Sequence, residues 1–234
     1  MNNPQETNST PGTKTDITNL TIDKFLIGLN FIRTKHQPVY RLATVKVTEE
    51  DKQKIKDAIN LRNSVNKERG VTQFQKYNRE DIKKVDEKGM TAEVMFSQVI
   101  QKIERNGKVA HYEVETPPIA DKVLDKSKQD YVIKNPEQYM TFDVKGQSED
   151  GTSLNVNLQS LARMKEQNAD FMVAGLIKWD NRTIESIKEV TFYYVDIDFF
   201  ERNSAAVTKF KNPNRTPFRA LPLEEIKCTK SRGH

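Results

Sequence analysis

Of 234 residues, 35% are hydrophobic and 30% charged. Ordinary globular chains carry about 45–50% apolar residues, a figure that also counts Gly, so one substantial core fits here but part of the chain is not expected to pack. No run of about 18 apolar residues exists to span a membrane, and the start MNNPQETNSTPGTKTD has neither a basic opening nor an apolar signal core, so a cytoplasmic protein without membrane attachment is expected.

Residues 1–19 are rich in Asn, Thr, Pro and Gln with almost nothing to bury, and are read as a disordered tail. FLIGLNFIR and VYRLATVKV, between Thr21 and Val47, alternate apolar and polar residues loosely, as strands or as a strand and a short helix do. Thr48 then opens a helix that runs to Gly70. A capping threonine precedes three acids in the first turn, Ile55, Ile59, Leu61 and Val65 recur at near-helical spacing, and the glycine stops it. Residues 20–88 are accordingly read as an N-terminal helical extension.

A second helix is expected from about Met90 to Arg105, with Ala92, Phe96, Val99 and Ile103 as its buried stripe and Met95 and Ile100 beside it. Beyond Gly107 come short strands, VAHYEVE, DYVIK, YMTFDVKG and TSLNVN, broken by Pro, Asn and Gly turns. The helical LQSLARMKEQN follows. DFMVAGLIKW is then a continuous apolar run suited to a strand buried on both faces, and EVTFYYVDIDFF reads as another long strand. The expected architecture is α/β: residues 89–200 form a mixed central β-sheet flanked by helices. The last segment, 201–234, holds eight basic against three acidic residues and so carries a charge equal to the whole net charge of +5. Such a tail fits either a phosphate-rich partner or a solubilising role.

Cys228 is the single cysteine, and His36, His111 and His234 are scattered, which excludes a disulfide framework and any cysteine-based zinc site. The acids are more informative. Glu93 lies near the start of its helix beside the buried stripe, since 93, 96 and 100 share a face. Asp130 opens DYVIK, and Asp143 and Lys145 close YMTFDVK; a hairpin through the NPEQ turn, 135–138, would bring Asp130 and Asp143 together at one end of the sheet. Two close carboxylates call for a cation, and hard oxygen ligands favour magnesium, with manganese as the alternative. Such an ion polarises a phosphoryl oxygen and lowers the pKa of bound water. Lys145, on the same strand face as Asp143, would orient or deprotonate that water. Gly146 leaves room for a close backbone approach.

An acid on a helix followed by Asp130 and then Asp143-Val144-Lys145 at a strand end resembles the PD-(D/E)XK nuclease superfamily over roughly residues 89–180. The pattern departs from the family in having Gln129 where a proline usually stands and Asp143 where Glu is more frequent. The resemblance implies a restriction-endonuclease-like fold and metal-dependent hydrolysis of DNA phosphodiester bonds. Asp130, Asp143, Glu93 and the Val144 carbonyl would hold the metal, and Gln147 and Gln159 would be auxiliary site residues. Lys134, Arg163 and Lys165, with Lys122, are candidate phosphate contacts, and DNA is the implied partner, a homodimer being compatible with it. Asp196 and Asp198, on one face of the last long strand, form a rival acidic pair more readily explained as a solvated edge. A restriction-type or mobile-element enzyme, a structure-specific recombination or repair nuclease, and a non-catalytic nucleic-acid-binding or structural protein that retains the fold remain as alternatives.

Overall fold

In the computed structural model, the described residues are 38–68, 79–105, 113–115, 131–134, 139–166, 169, 171–208 and 217–228. Residues 1–19, the FLIGLNFIR segment, Lys122, Asp130 and the 135–138 turn lie outside them.

In chain order the elements are β1 (Val39–Lys46), α1 (Glu49–Glu68), α2 (Arg79–Arg105), β2 (Glu113–Glu115), β3 (Tyr131–Lys134), β4 (Tyr139–Ser148) and β5 (Ser153–Asn157). They continue with α3 (Leu158–Glu166), β6 (Phe171–Trp179), a 3-10 turn at Ile184–Ser186, β7 (Ile187–Asp196), α4 (Ile197–Asn203), β8 (Ala205–Val207), β9 (Phe218–Pro222) and α5 (Leu223–Lys227). Six strands form a mixed sheet in the order β1-β7-β6-β4-β3-β2, and three form a second sheet in the order β5-β9-β8. Within the large sheet only β4 and β6 pair in parallel; the other neighbours are antiparallel.

The apolar run of β6 explains its central place. Phe171, Val173 and Ile177 enter one core with α1 and α2, while Met172, Ala174 and Leu176 enter a second core with β5, α3, α4, β9 and α5. The molecule is therefore layered: two helices, the six-stranded sheet, then the small sheet with its short helices. Each face of β6 is sealed by a different layer, as its unbroken hydrophobic sequence requires.

Four sequence expectations are revised. The 20–88 segment supplies more than a helix, because β1 pairs along β7 as an edge strand of the main sheet, and Val45, Ile55 and Ile59 are buried in its core. Leu61, counted in the stripe of α1, is exposed. The helix bearing Glu93 begins at Arg79, eleven residues earlier than Met90, and passes straight through Gly89. EVTFYYVDIDFF is only partly a strand: β7 ends at Asp196, whose carboxylate accepts a hydrogen bond from the Phe199 N–H at 2.7 Å and caps α4. The rival Asp196–Asp198 pair is thus a helix N-cap and an exposed first-turn acid, since a capping carboxylate satisfies the free N–H groups of the helix start.

Thr48 caps α1 as its sequence indicates. Its hydroxyl accepts from the Asp51 N–H at 3.2 Å, and the Asp51 carboxylate accepts from the Thr48 N–H at 2.9 Å. Asp51 is buried and also accepts from the Gln98 side-chain amide, which ties α1 to α2. Basic residues of the C-terminal segment are partly used inside the fold. Arg219 donates to the Glu201 carbonyl at 2.7 Å and to the Ser204 hydroxyl at 2.8 Å, fastening β9 to the end of α4. No helix among the described residues is long and apolar enough to cross a membrane.

Candidate active site on strand β4

Side chains alternate across a strand, and β4 makes its two faces chemically different. Phe142 and Val144 are buried in the core beneath α2. Asp143, Lys145 and Gln147 point the other way, in register with Met172, Ala174 and Leu176 of β6. Where β6 contributes three core side chains, β4 contributes an acid, a lysine and an amide. The Lys145 ammonium donates to Asp143 Oδ2 at 2.8 Å, and the two side chains keep 24% and 17% of their surface exposed. The pair is largely sheltered yet open to a small ligand.

The hairpin foreseen between DYVIK and YMTFDVK is present as an antiparallel β3–β4 ladder, from Lys134↔Tyr139 to Tyr131↔Phe142. Tyr131↔Phe142 is its last pair among the described residues. Asp143 immediately follows Phe142, on the stretch of β4 that runs alongside β6.

Helix α2 is pressed onto this strand by two glycines. A Cβ at Gly146 would fall 2.0 Å from the Lys88 carbonyl oxygen, and one at Gly175, the β6 partner of Gly146, would fall 2.9 Å from Ala92 Cβ. Only glycine permits backbone to meet backbone so closely. Further along, the Phe96 and Phe142 rings meet edge to face at 5.7 Å. Lys88 thus lies over Gly146 and Phe96 over Phe142, so helix and strand run antiparallel. Ala92, one helical turn on from Lys88, also reaches Gly146, its Cβ lying 3.1 Å from where a Cβ would stand there, and Glu93 follows it on the helix.

Glu93 is half-buried. At 100° per residue it lies about 140° around the helix from Gln98, the residue bonded to α1. Its flank therefore faces away from α1, which leans towards the 3-10 turn before β7 through a Lys56–Glu185 ion pair of 3.0 Å. In the strand order β7-β6-β4-β3, the opposite flank is the β4–β3 side. Glu93 and Asp143 are the two acids of the expected set that fall among the described residues.

The remaining candidates divide. Gln147 is held by both ends of its amide: Nε2 donates to the Ser153 carbonyl at 2.6 Å, and Oε1 accepts from the Lys88 ammonium at 2.9 Å and the Ser148 N–H at 3.0 Å. Gln159 is exposed on α3, away from this network. Lys165 is taken up by Glu201 at 2.8 Å, and that hydrogen-bonded carboxylate raises the lysine's pKa. Arg163 lies on the same short helix, half-buried. Lys134 belongs to the backbone of β3.

The oxygen-only character of Asp143, Glu93 and the Val144 carbonyl suits a hard divalent cation. Among the described residues no three of His, Cys, Asp and Glu gather into a metal-binding group. Sequence reading missed Lys88, which lay in a polar stretch with no periodic signal, and missed that Gly175 acts with Gly146. Glycines in two strands at matched register were the available clue.

Comparison with protein-family models, with curated proteins and with solved structures gives no match to this chain.

Proposed function

We propose that the protein is a magnesium-dependent deoxyribonuclease with a restriction-endonuclease-like core, hydrolysing DNA phosphodiester bonds beside Asp143 and Lys145. The observation that carries this reading is the placement of the pair. An acid and a lysine occupy adjacent same-face positions of a central strand, opposite the buried Met172 and Ala174 of β6 and just past Phe142, the last β4 residue paired in the described part of the β3 ladder. Continuing that ladder by one pair would set Asp130 opposite Asp143. Glu93, on the helix packed over β4, would complete the acidic set.

In this reading Asp143, Asp130, Glu93 and the Val144 carbonyl hold the cation, which when bound supplies Lewis acidity and an acidified water. Lys145 exchanges its Asp143 contact for the scissile phosphate, where its ammonium offsets the negative charge that develops on phosphoryl oxygens and orients the attacking water. Asp143 keeps the lysine aimed until DNA arrives. Val144, buried between the two, fixes their backbone by packing under α2.

A second reading has one observation in its favour. Lys145 and Asp143 pair with each other at 2.8 Å, as an acid and a lysine would in a DNA-binding protein that keeps the fold without catalysis. Supercoiled plasmid and branched DNA incubated with and without magnesium decide between the two. Cutting that needs the metal, and that falls about 10²–10⁴-fold in Asp143→Ala and Lys145→Ala while both variants melt cooperatively, is the expected result. DNA binding without cutting by the native protein would leave the second reading standing.

A further inference from the structure

We propose that Arg41, Thr44, Thr191 and Tyr193, where β1 and β7 pair, form a binding site for a phosphate group, free or terminal on a small molecule, separate from the Asp143–Lys145 pair. A bulge makes the cluster. β1 carries one residue more than β7 between Arg41 and Ala43, so Arg41 and Thr44, three apart in sequence, stand opposite Tyr193 and Thr191, two apart on β7. A regular strand sends residues three apart to opposite faces. Tyr193 belongs to the second core, so all four residues lie on the sheet face that carries Lys145. Lys145, Ala174, Tyr193 and Arg41 share one cross-strand row, but Ala174 is fully buried and the core above it divides the two ends.

These side chains hold more donors than the fold uses. The Arg41 guanidinium donates to Thr44 Oγ1 at 2.6 Å, and no carboxylate pairs with it among the described residues. The Thr44 and Thr191 hydroxyls are 3.1 Å apart; whichever of them donates to the other, one hydroxyl hydrogen is left with no acceptor among the described residues. Tyr193 is only 9% exposed, and its hydroxyl has no partner among those residues either. Solvent still reaches that hydroxyl, because Thr91 Oγ1 is the one fully enclosed side-chain polar atom without a partner among them. Burial raises the pKa of the phenol, against the pull of the Arg41 guanidinium and with a further push from the Glu149 carboxylate, so its proton stays on at neutral pH and is there to donate. A surplus of donors calls for a ligand that only accepts. Three donor groups on separate side chains match the three free oxygens of a phosphate better than the two of a carboxylate. The recessed phenol favours a terminal group over a phosphodiester with a substituent on either side.

The test is a phosphorus-NMR titration of the full chain with inorganic phosphate, phenyl phosphate and dimethyl phosphate at fixed ionic strength, in a Lys145→Ala background that takes away the lysine at the far end of the row. Inorganic phosphate and phenyl phosphate should bind, and whichever binds more tightly names the source of the group. Dimethyl phosphate, with two oxygens esterified, should bind at least about tenfold more weakly. Arg41→Met should weaken binding about 10–100-fold, and Tyr193→Phe and Thr191→Val about 3–10-fold each. Glu149→Gln should tighten it about twofold by removing a nearby like charge. Because the fold makes no use of the phenol oxygen, Tyr193→Phe should melt no lower than its background, whereas a phenol that merely braced the structure would lower the melting temperature. Retained affinity in both Arg41→Met and Tyr193→Phe, or equal affinity for dimethyl phosphate, overturns the site. Absence of binding at millimolar phosphate would mean that water alone meets these donors, and overturns it as well. None of these outcomes bears on the nuclease reading, on which the assignment does not rest.

Discussion

Strands β4 and β6 lie side by side in parallel, share one register and are covered by the same helix, yet only one of them is core on both faces. Beneath α2 they match: Phe142, Val144 and Gly146 against Phe171, Val173 and Gly175. On the other face Met172, Ala174 and Leu176 are at most 2% exposed, whereas Asp143, Lys145 and Gln147 are partly open and polar. A boundary between packed interior and chemistry runs down the seam between two hydrogen-bonded strands. Burying a charge without partners costs several kcal/mol, so a folded protein places such residues in a central strand only where a ligand or partner group can reach them.

The sharpest way to break this contrast is to move the acid one strand over. Met172→Asp puts a carboxylate at the β6 position paired with Asp143, inside the second core, and should cost about 3–5 kcal/mol, seen as loss of the cooperative urea transition. The reverse exchange, Asp143→Met, makes β4 resemble β6; it should leave stability within about 1 kcal/mol of the native protein while abolishing plasmid cutting. A cooperative, near-native Met172→Asp protein would show that the seam is not the boundary described.

The face the strands share can be tested at its two glycines. Gly146→Ala drives a methyl into the Lys88 carbonyl and should destabilise by about 3 kcal/mol. Gly175→Ala meets only the Ala92 methyl at 2.9 Å and the Phe192 ring at 3.0 Å, groups able to give slightly, and should cost about 1–2 kcal/mol. Equal losses in the two variants would mean that the helix does not bear down harder on β4 than on β6. The smallest effect belongs to Gly89, in the same helix but with nothing within 4 Å of its would-be Cβ. Gly89→Ala should raise stability by about 0.5–1 kcal/mol, because alanine holds the helical backbone at lower entropic cost.

Local signals carried the parts of the fold that depend on neighbours in sequence. The Thr48 cap with its three following acids, the stripe Ala92–Phe96–Val99 and the uninterrupted apolar run of β6 are each legible because one element's burial writes its own period. Gly89 misled the boundary of α2: a glycine normally ends or weakens a helix, but here packing beneath the helix outweighs that preference. The short helix after Asp196 was hidden by aromatics that also suit a strand, although Asp196 itself, with Arg202 in the last turn, was a usable cap signal. The small sheet was invisible for another reason. β5 ends at Asn157 and pairs with β9, which begins at Phe218, and nothing local announces a partner so far along the chain. For the candidate site, the order and types of residues Asp143, Lys145 and Glu93 were legible, and so was the antiparallel pairing of β3 with β4. The close seat of α2 on Gly146 and Gly175 and the bond from Lys88 to Gln147 were not, since both follow from how α2 is docked.

That docking couples two properties that protein engineering usually treats separately. The contact of the Lys88 carbonyl with Gly146 is at once a packing contact and the pivot from which the Lys88 side chain sets out towards Gln147. A substitution that refills the helix–strand seam at Gly146 would therefore disturb the packing and the base of that side chain together.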